Sequence, residues 1–157
     1  MPGDDILSLA PPPADERVPY GSETHQFGDL RLPKGNGPHP VVMNIHGGFW
    51  RNEYDLTHAS HLCAALTAKG VATWNLEYRR VGDEGGGWPG TFSDITNGYR
   101  FIAQLPKRYY LDAEKVVVMG HSAGGQLALC LAATKCRSSM RSPWLEWWTC
   151  DAPGICT

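Results

Sequence analysis

Three short apolar runs, at residues 41–45, 71–78 and 116–119, alternate with stretches whose apolar residues recur at helical spacing. Runs of that length mark buried parallel strands, because both faces are covered and no in–out alternation is needed. The stretch after the first run carries Leu56, Ala59, Leu62, Cys63 and Leu66 on one helical face and stops at Lys69-Gly70. The next spans residues 91–105, with Ile95, Tyr99 and Ile102 in phase, and stops at Pro106. The third run passes directly into an apolar helix over 126–133. Strand and helix in strict alternation predict an α/β fold, a parallel-sheet core with helices on both faces and right-handed crossovers.

A length of 157 residues suits one domain, and 42% hydrophobic with 19% charged residues is ordinary for a globular chain. A net charge of -2 without any basic run gives no electrostatic argument for nucleic acid or an acidic membrane, and neither is expected as a partner. No apolar stretch reaches membrane-spanning length, and the start, with Asp4 and Asp5, lacks the apolar core of a signal peptide. A cytoplasmic protein is expected. Residues 1–24, with Pro11, Pro12 and Pro13 in a row, form a disordered or extended lead-in. Phe27, Leu30 and Leu32 begin the domain with an early strand, and the α/β unit occupies residues 25–134. From 135 to 157 the rhythm stops in a Trp/Cys-rich tail holding Trp144, Trp147 and Trp148. It reads as a docking tail or a non-native ending, the second being favoured. The five cysteines lack metal-site or disulfide spacing.

The chemistry concentrates in two motifs. Ser122 lies in Gly120-His121-Ser122-Ala123-Gly124, between an apolar run and a helix. A serine hydroxyl needs exposure and an adjacent base to act as a nucleophile. A sharp strand-to-helix turn provides the exposure, and the helix start aims free N–H groups at the same place. The second motif, His46-Gly47-Gly48, follows the first core strand. Acyl transfer builds charge on a carbonyl oxygen, and glycine-rich backbone can approach it with N–H donors.

With HGGFW at 46–50, Leu76-Glu77-Tyr78-Arg79-Arg80, Gly87-Trp88-Pro89-Gly90-Thr91 and GHSAGG at 120–125, residues 25–134 resemble the α/β-hydrolase superfamily. The nearest likeness is to kynurenine formamidase-like and feruloyl-esterase-like serine hydrolases. The resemblance implies an α/β-hydrolase fold, here its N-terminal portion, and a small-molecule ester or amide as substrate. It implies Ser122 as nucleophile, with Gly47, Gly48 and Ala123 as oxyanion donors and Phe49 and Trp50 lining the acyl pocket. It implies no cofactor or metal, and leaves any protein partner unknown.

In that fold the triad runs serine, acid, histidine along the chain. Here all six histidines precede Ser122, and only Glu146 and Asp151 come after it as acids. The expectation is therefore weak or absent activity, the alternative being a non-catalytic binding protein or an inactive fragment. The strand at 116–119 would be an exposed sheet edge. His46 either braces the oxyanion loop or simply packs, and His121 shapes the turn. Glu77 and Asp94 are expected to make structural hydrogen bonds. Arg79 and Arg80 are expected to pair with Asp83 or Glu84.

Overall fold

The computed structural model describes residues 9–139, with side chains as far as Thr134. Five strands, β1 (Glu16–Pro19), β2 (Phe27–Arg31), β3 (His39–Ile45), β4 (Ala72–Leu76) and β5 (Leu111–Gly120), form one sheet in the order β1-β2-β4-β3-β5. Three helices accompany it: α1 (Ser60–Thr67), α2 (Gly90–Phe101) and α3 (Ala123–Ser139). The three expected strands, β4, β3 and β5, are mutually parallel, and β1 and β2 extend the sheet antiparallel. The sheet is thus mixed, for a simple reason. Residues 20–26 are enough to turn an antiparallel pair, whereas each parallel neighbour needs a crossover helix.

β4 is buried at every position, as a strand covered on both faces must be. Trp74, Leu76, Met43, Ile45 and Ile95 are fully enclosed. Asn44 and Asn75 lie in the same core and satisfy each other, Nδ2 of Asn44 donating to Oδ1 of Asn75 at 2.8 Å.

Three local outcomes depart from the pattern read in the sequence. The helix expected to stop at Pro106 ends at Phe101 and passes into a 3-10 helix, Ile102–Lys107, that contains Pro106. The stretch after β3 begins as a 3-10 turn at Leu56–Ala59, capped by Asp55, whose carboxylate accepts the Thr57 N–H at 2.8 Å. Three residues per turn instead of 3.6 shifts the phase of α1 behind it. Leu56, Ser60 and Cys63 face inward, while Leu62 is 45% exposed. Within the proline-rich lead-in, β1 pairs with β2, and Arg17 grips Asp29 through two hydrogen bonds of 2.7 and 3.0 Å.

Among the described residues β5 pairs with β3 alone, and Val117 on it is 60% exposed. This is the open edge expected for that strand. The tail beyond Ser139 lies outside the described residues. No helix among the described residues is long and apolar enough to cross a membrane.

Leu76 sits where β4 meets α2; a Cβ on Gly98 would lie 2.4 Å from its Cδ1. Leu76→Ala is expected to cost about 2–5 kcal/mol. The check is a lower urea midpoint with an unchanged slope.

Candidate active site

Leu76, Ile45 and Gly120 stand side by side across the three parallel strands. The residues directly after them, Glu77, His46 and His121, therefore emerge together at one edge of the sheet. The carboxyl ends of parallel strands are where such folds place their ligand sites.

Ser122 occupies the turn between β5 and α3 with φ of 54, a left-handed conformation unusual for a residue with a side chain. The turn is tied down on both sides. His121 N–H donates to the Ile45 carbonyl at 3.3 Å, and the Ser122 carbonyl accepts from Gly125 and Gln126 at 2.9 and 3.2 Å. A Cβ on Gly124 would lie 2.0 Å from the Ile45 oxygen, so the helix start can press against β3 only with glycine there. Ser122 is exposed, and Ala123 behind it is buried at the first position of α3, where its N–H has no intrahelical acceptor.

The glycine loop touches this turn. A Cβ on Gly47 would lie 2.7 Å from the His121 carbonyl and 3.2 Å from Ser122 Cβ. The two motifs, far apart in sequence, are in contact. Two buried donors orient the loop: Tyr78 Oη–H donates to the His46 carbonyl at 2.8 Å, and His46 Nδ1 lies 2.7 Å from the Gly47 carbonyl. In a planar trans peptide the C=O and the next N–H point in opposite directions. Fixing those carbonyls inward turns the Gly47 and Gly48 N–H groups away from the core, and no described backbone oxygen accepts either.

Beneath the loop lies Glu77. Its Oε1 is 3.0 Å from His46 Nε2 and accepts the Tyr78 N–H at 3.0 Å, and its Oε2 accepts the Leu56 N–H at 3.1 Å. Arg80 Nη1 is 3.4 Å away, and the same guanidinium pairs with Asp83 and donates to the Tyr54 carbonyl. Arg79 takes a different acid from the one expected. It forms a two-pronged pair with the enclosed Asp94 of α2, at 2.8 Å in each prong; the Arg79 backbone N–H donates to the same carboxylate at 3.0 Å and Gln26 at 2.7 Å. Asp94 and Glu77 are thus structural acceptors, as their positions implied.

Phe49 and Trp50 have φ of 55 and 59. Two successive left-handed residues with large side chains are costly, and neighbouring contacts must hold them. The Trp50 carbonyl accepts the Val81 N–H at 2.7 Å, and Asn52 N–H donates to the Val81 carbonyl at 3.2 Å, clamping this loop to the glycine-rich one at 81–90. The rings border a cavity of about 370 Å³, whose wall continues through Trp88, Phe92, Gln126 and Leu127. Trp88 stacks on Phe92 with centroids 5.8 Å apart. Gln126 and Leu127 lie about one turn beyond Ser122 on α3. Trp88, Phe92 and Gln126 received no role from the sequence, although a Trp-Pro pair ending a glycine-rich loop was visible there.

No described histidine hydrogen-bonds to Ser122. His121 is exposed, with Nδ1 near Gly47 instead. His58 meets His46 edge-to-face at 5.8 Å; burial first, and then the neighbouring His46, hold its pKa below the usual histidine value. His61 faces the Leu9 carbonyl and His25 faces Asp83. Among the described residues no three His, Cys, Asp or Glu side chains gather as metal ligands.

Comparison with known proteins matches residues 29–146 to the BD-FAE family. A probable isoprenylcysteine alpha-carbonyl methylesterase of Arabidopsis thaliana is 30% identical over 72% of this chain and 23% of its own length. A versiconal hemiacetal acetate esterase of Dothistroma septosporum is 32% identical over 65% of this chain and 30% of its own. The chain spans about a quarter to a third of the curated relatives it matches. A solved esterase from Thermogutta terrifontis superposes with a TM-score of 0.69 at 21% identity, covering 81% of this chain and 48% of that one. The shared architecture is the α/β-hydrolase fold.

Removing the Glu77 carboxylate strands a buried histidine, a buried arginine and two backbone N–H groups. Glu77→Ala is expected to cost about 3–5 kcal/mol, read as a lower denaturation midpoint.

Proposed function

We propose that this chain, which belongs to the BD-FAE family, is a serine hydrolase that cleaves small esters, or amides, through acylation of Ser122. The observation that carries the reading is the contact between the Gly47 loop and the Ser122 turn. It brings a serine in a strained, exposed turn beside backbone N–H groups that the core turns outward. The serine oxygen attacks the carbonyl carbon. The oxygen that becomes negative is met by the N–H groups of Gly47, Gly48 and Ala123, already oriented before reaction. The alcohol or amine leaves, and water releases the acyl group from Ser122. Phe49 and Trp50, with Trp88 opposite, hold the acyl portion in the aromatic cavity. The names of the relatives, each an esterase, support an ester as substrate.

The second reading is a chain that binds such molecules without turning them over; the exposed aromatic cavity beside Ser122 supports binding by itself. Loss of a triad member lowers turnover by orders of magnitude, while donors and binding retain some acceleration. The 157-residue chain is therefore expected to label slowly with a fluorophosphonate, by one adduct in intact mass, and to hydrolyse aryl esters feebly. Ser122→Ala is expected to lose both. Equal labelling of the variant would overturn the role of Ser122. Turnover at ordinary esterase rates, abolished in Ser122→Ala, would overturn the expected weakness.

A further inference from the structure

Both ring nitrogens of His46 face acceptors. Nδ1 lies 2.7 Å from the Gly47 carbonyl, which can only accept. Nε2 lies 3.0 Å from Glu77 Oε1. A neutral imidazole has one N–H, so it satisfies one of these contacts and sets a lone pair against oxygen in the other. The conflict disappears if the ring carries both protons, or if Glu77 carries one. The surroundings of Glu77 decide between these. Both its oxygens already act as acceptors, Oε1 for the Tyr78 N–H and Oε2 for the Leu56 N–H, and the Arg80 guanidinium lies 3.4 Å from Oε1.

We infer that His46 is a buried imidazolium, held by Glu77, whose Nδ1–H grips the Gly47 carbonyl and positions the oxyanion-binding N–H groups. Of the charged and titratable neighbours on the packed elements, Arg80 is the one like charge that shares Glu77 Oε1 with His46. The Tyr78 ring lies flat against His46, with centroids 4.4 Å apart and planes 20° from parallel, a face that attracts a cation. From the Leu56–Ala59 turn, His58 presents its edge with centroids 5.8 Å apart, and burial above all holds its pKa below the usual histidine value. Asp55, which caps that turn, is the acid within its electrostatic reach there. Arg80 is balanced by Asp83 at 3.3 Å. From the serine turn, His121 is exposed to solvent.

The consequence is electrostatic. His46 and Glu77 are neutral as a pair but dipolar, with the positive end against the glycine loop. A charged donor makes a stronger bond than a neutral one, so the Gly47–Gly48 peptide is both fixed and polarised, its N–H end facing the Ser122 turn. His46 is a positioning residue, because it acts through that peptide and does not itself meet the substrate.

The effect on the oxyanion rests on the function proposed above, whereas the proton count on His46 does not. The experiment is a long-range ¹H–¹⁵N spectrum of the histidine rings in the ¹⁵N-labelled 157-residue chain at neutral pH. The expected result is one imidazole with both ring nitrogens at protonated shifts, assigned to His46 through its backbone. A bare Nδ1 or Nε2 on His46 would overturn the inference, whatever the chain's activity. In Glu77→Gln, whose neutral amide no longer stabilises the charge, loss of one ring proton is expected. A doubly protonated ring in that folded variant would show that Glu77 is not the group that holds it.

Discussion

The row Leu76–Ile45–Gly120 governs the site. Because β4, β3 and β5 run parallel in that register, the next residue of each strand leaves the sheet at the same height. One strand contributes an acid, the next a histidine and two glycines, the third a serine turn. A slip of one residue in any pairing would exchange the two faces of that strand and separate these groups. The buried asparagine pair just below the row, Asn44 and Asn75, resists such a slip, since each amide would lose its partner in an apolar interior.

Above this row the structure divides into an inner and an outer part. The inner part is polar yet enclosed. Glu77, His46, Tyr78 and Arg80 satisfy one another and the backbone of the Leu56–Ala59 turn. Fully satisfied networks of this kind rigidify the backbone they touch. Here that backbone is the glycine loop, which has no side chains of its own to hold it. The outer part is aromatic and open, with Phe49 69% exposed and Trp88 56% exposed.

Much of this was legible in the residues. The parallel strands follow from uninterrupted apolar runs, and the serine turn follows from small residues at a strand-to-helix junction. The contact of the HGG loop with that turn was implied by resemblance. Other features needed three dimensions. β1 is four residues long and ends at Pro19, so nothing periodic distinguishes it from an extended lead-in. Leu62 faces outward behind a 3-10 turn whose first N–H, that of Leu56, is held by Glu77 from 21 positions away. The partnership of Glu77 with His46 crosses 31 positions. Its one local trace is a carboxylate directly after five buried residues, a place where an acid must find donors. The partner of Arg79 differs from the expected one for a related reason. Asp83 and Glu84 are nearer in sequence, but Asp94 is brought back by the first turns of α2.

The clamp between Trp50 and Val81 joins two loops that share no strand. One borders the Ser122 turn, the other is the glycine-rich segment that carries Trp88. The aromatic wall is therefore assembled from surface loops, while Glu77, His46 and the Ser122 turn rise from the enclosed ends of strands. Substitutions in the loop at 81–90 can reshape the space the cavity offers without disturbing a single strand pairing. An architecture divided in this way lets the wall of the cavity be recut while the row beneath it keeps its register.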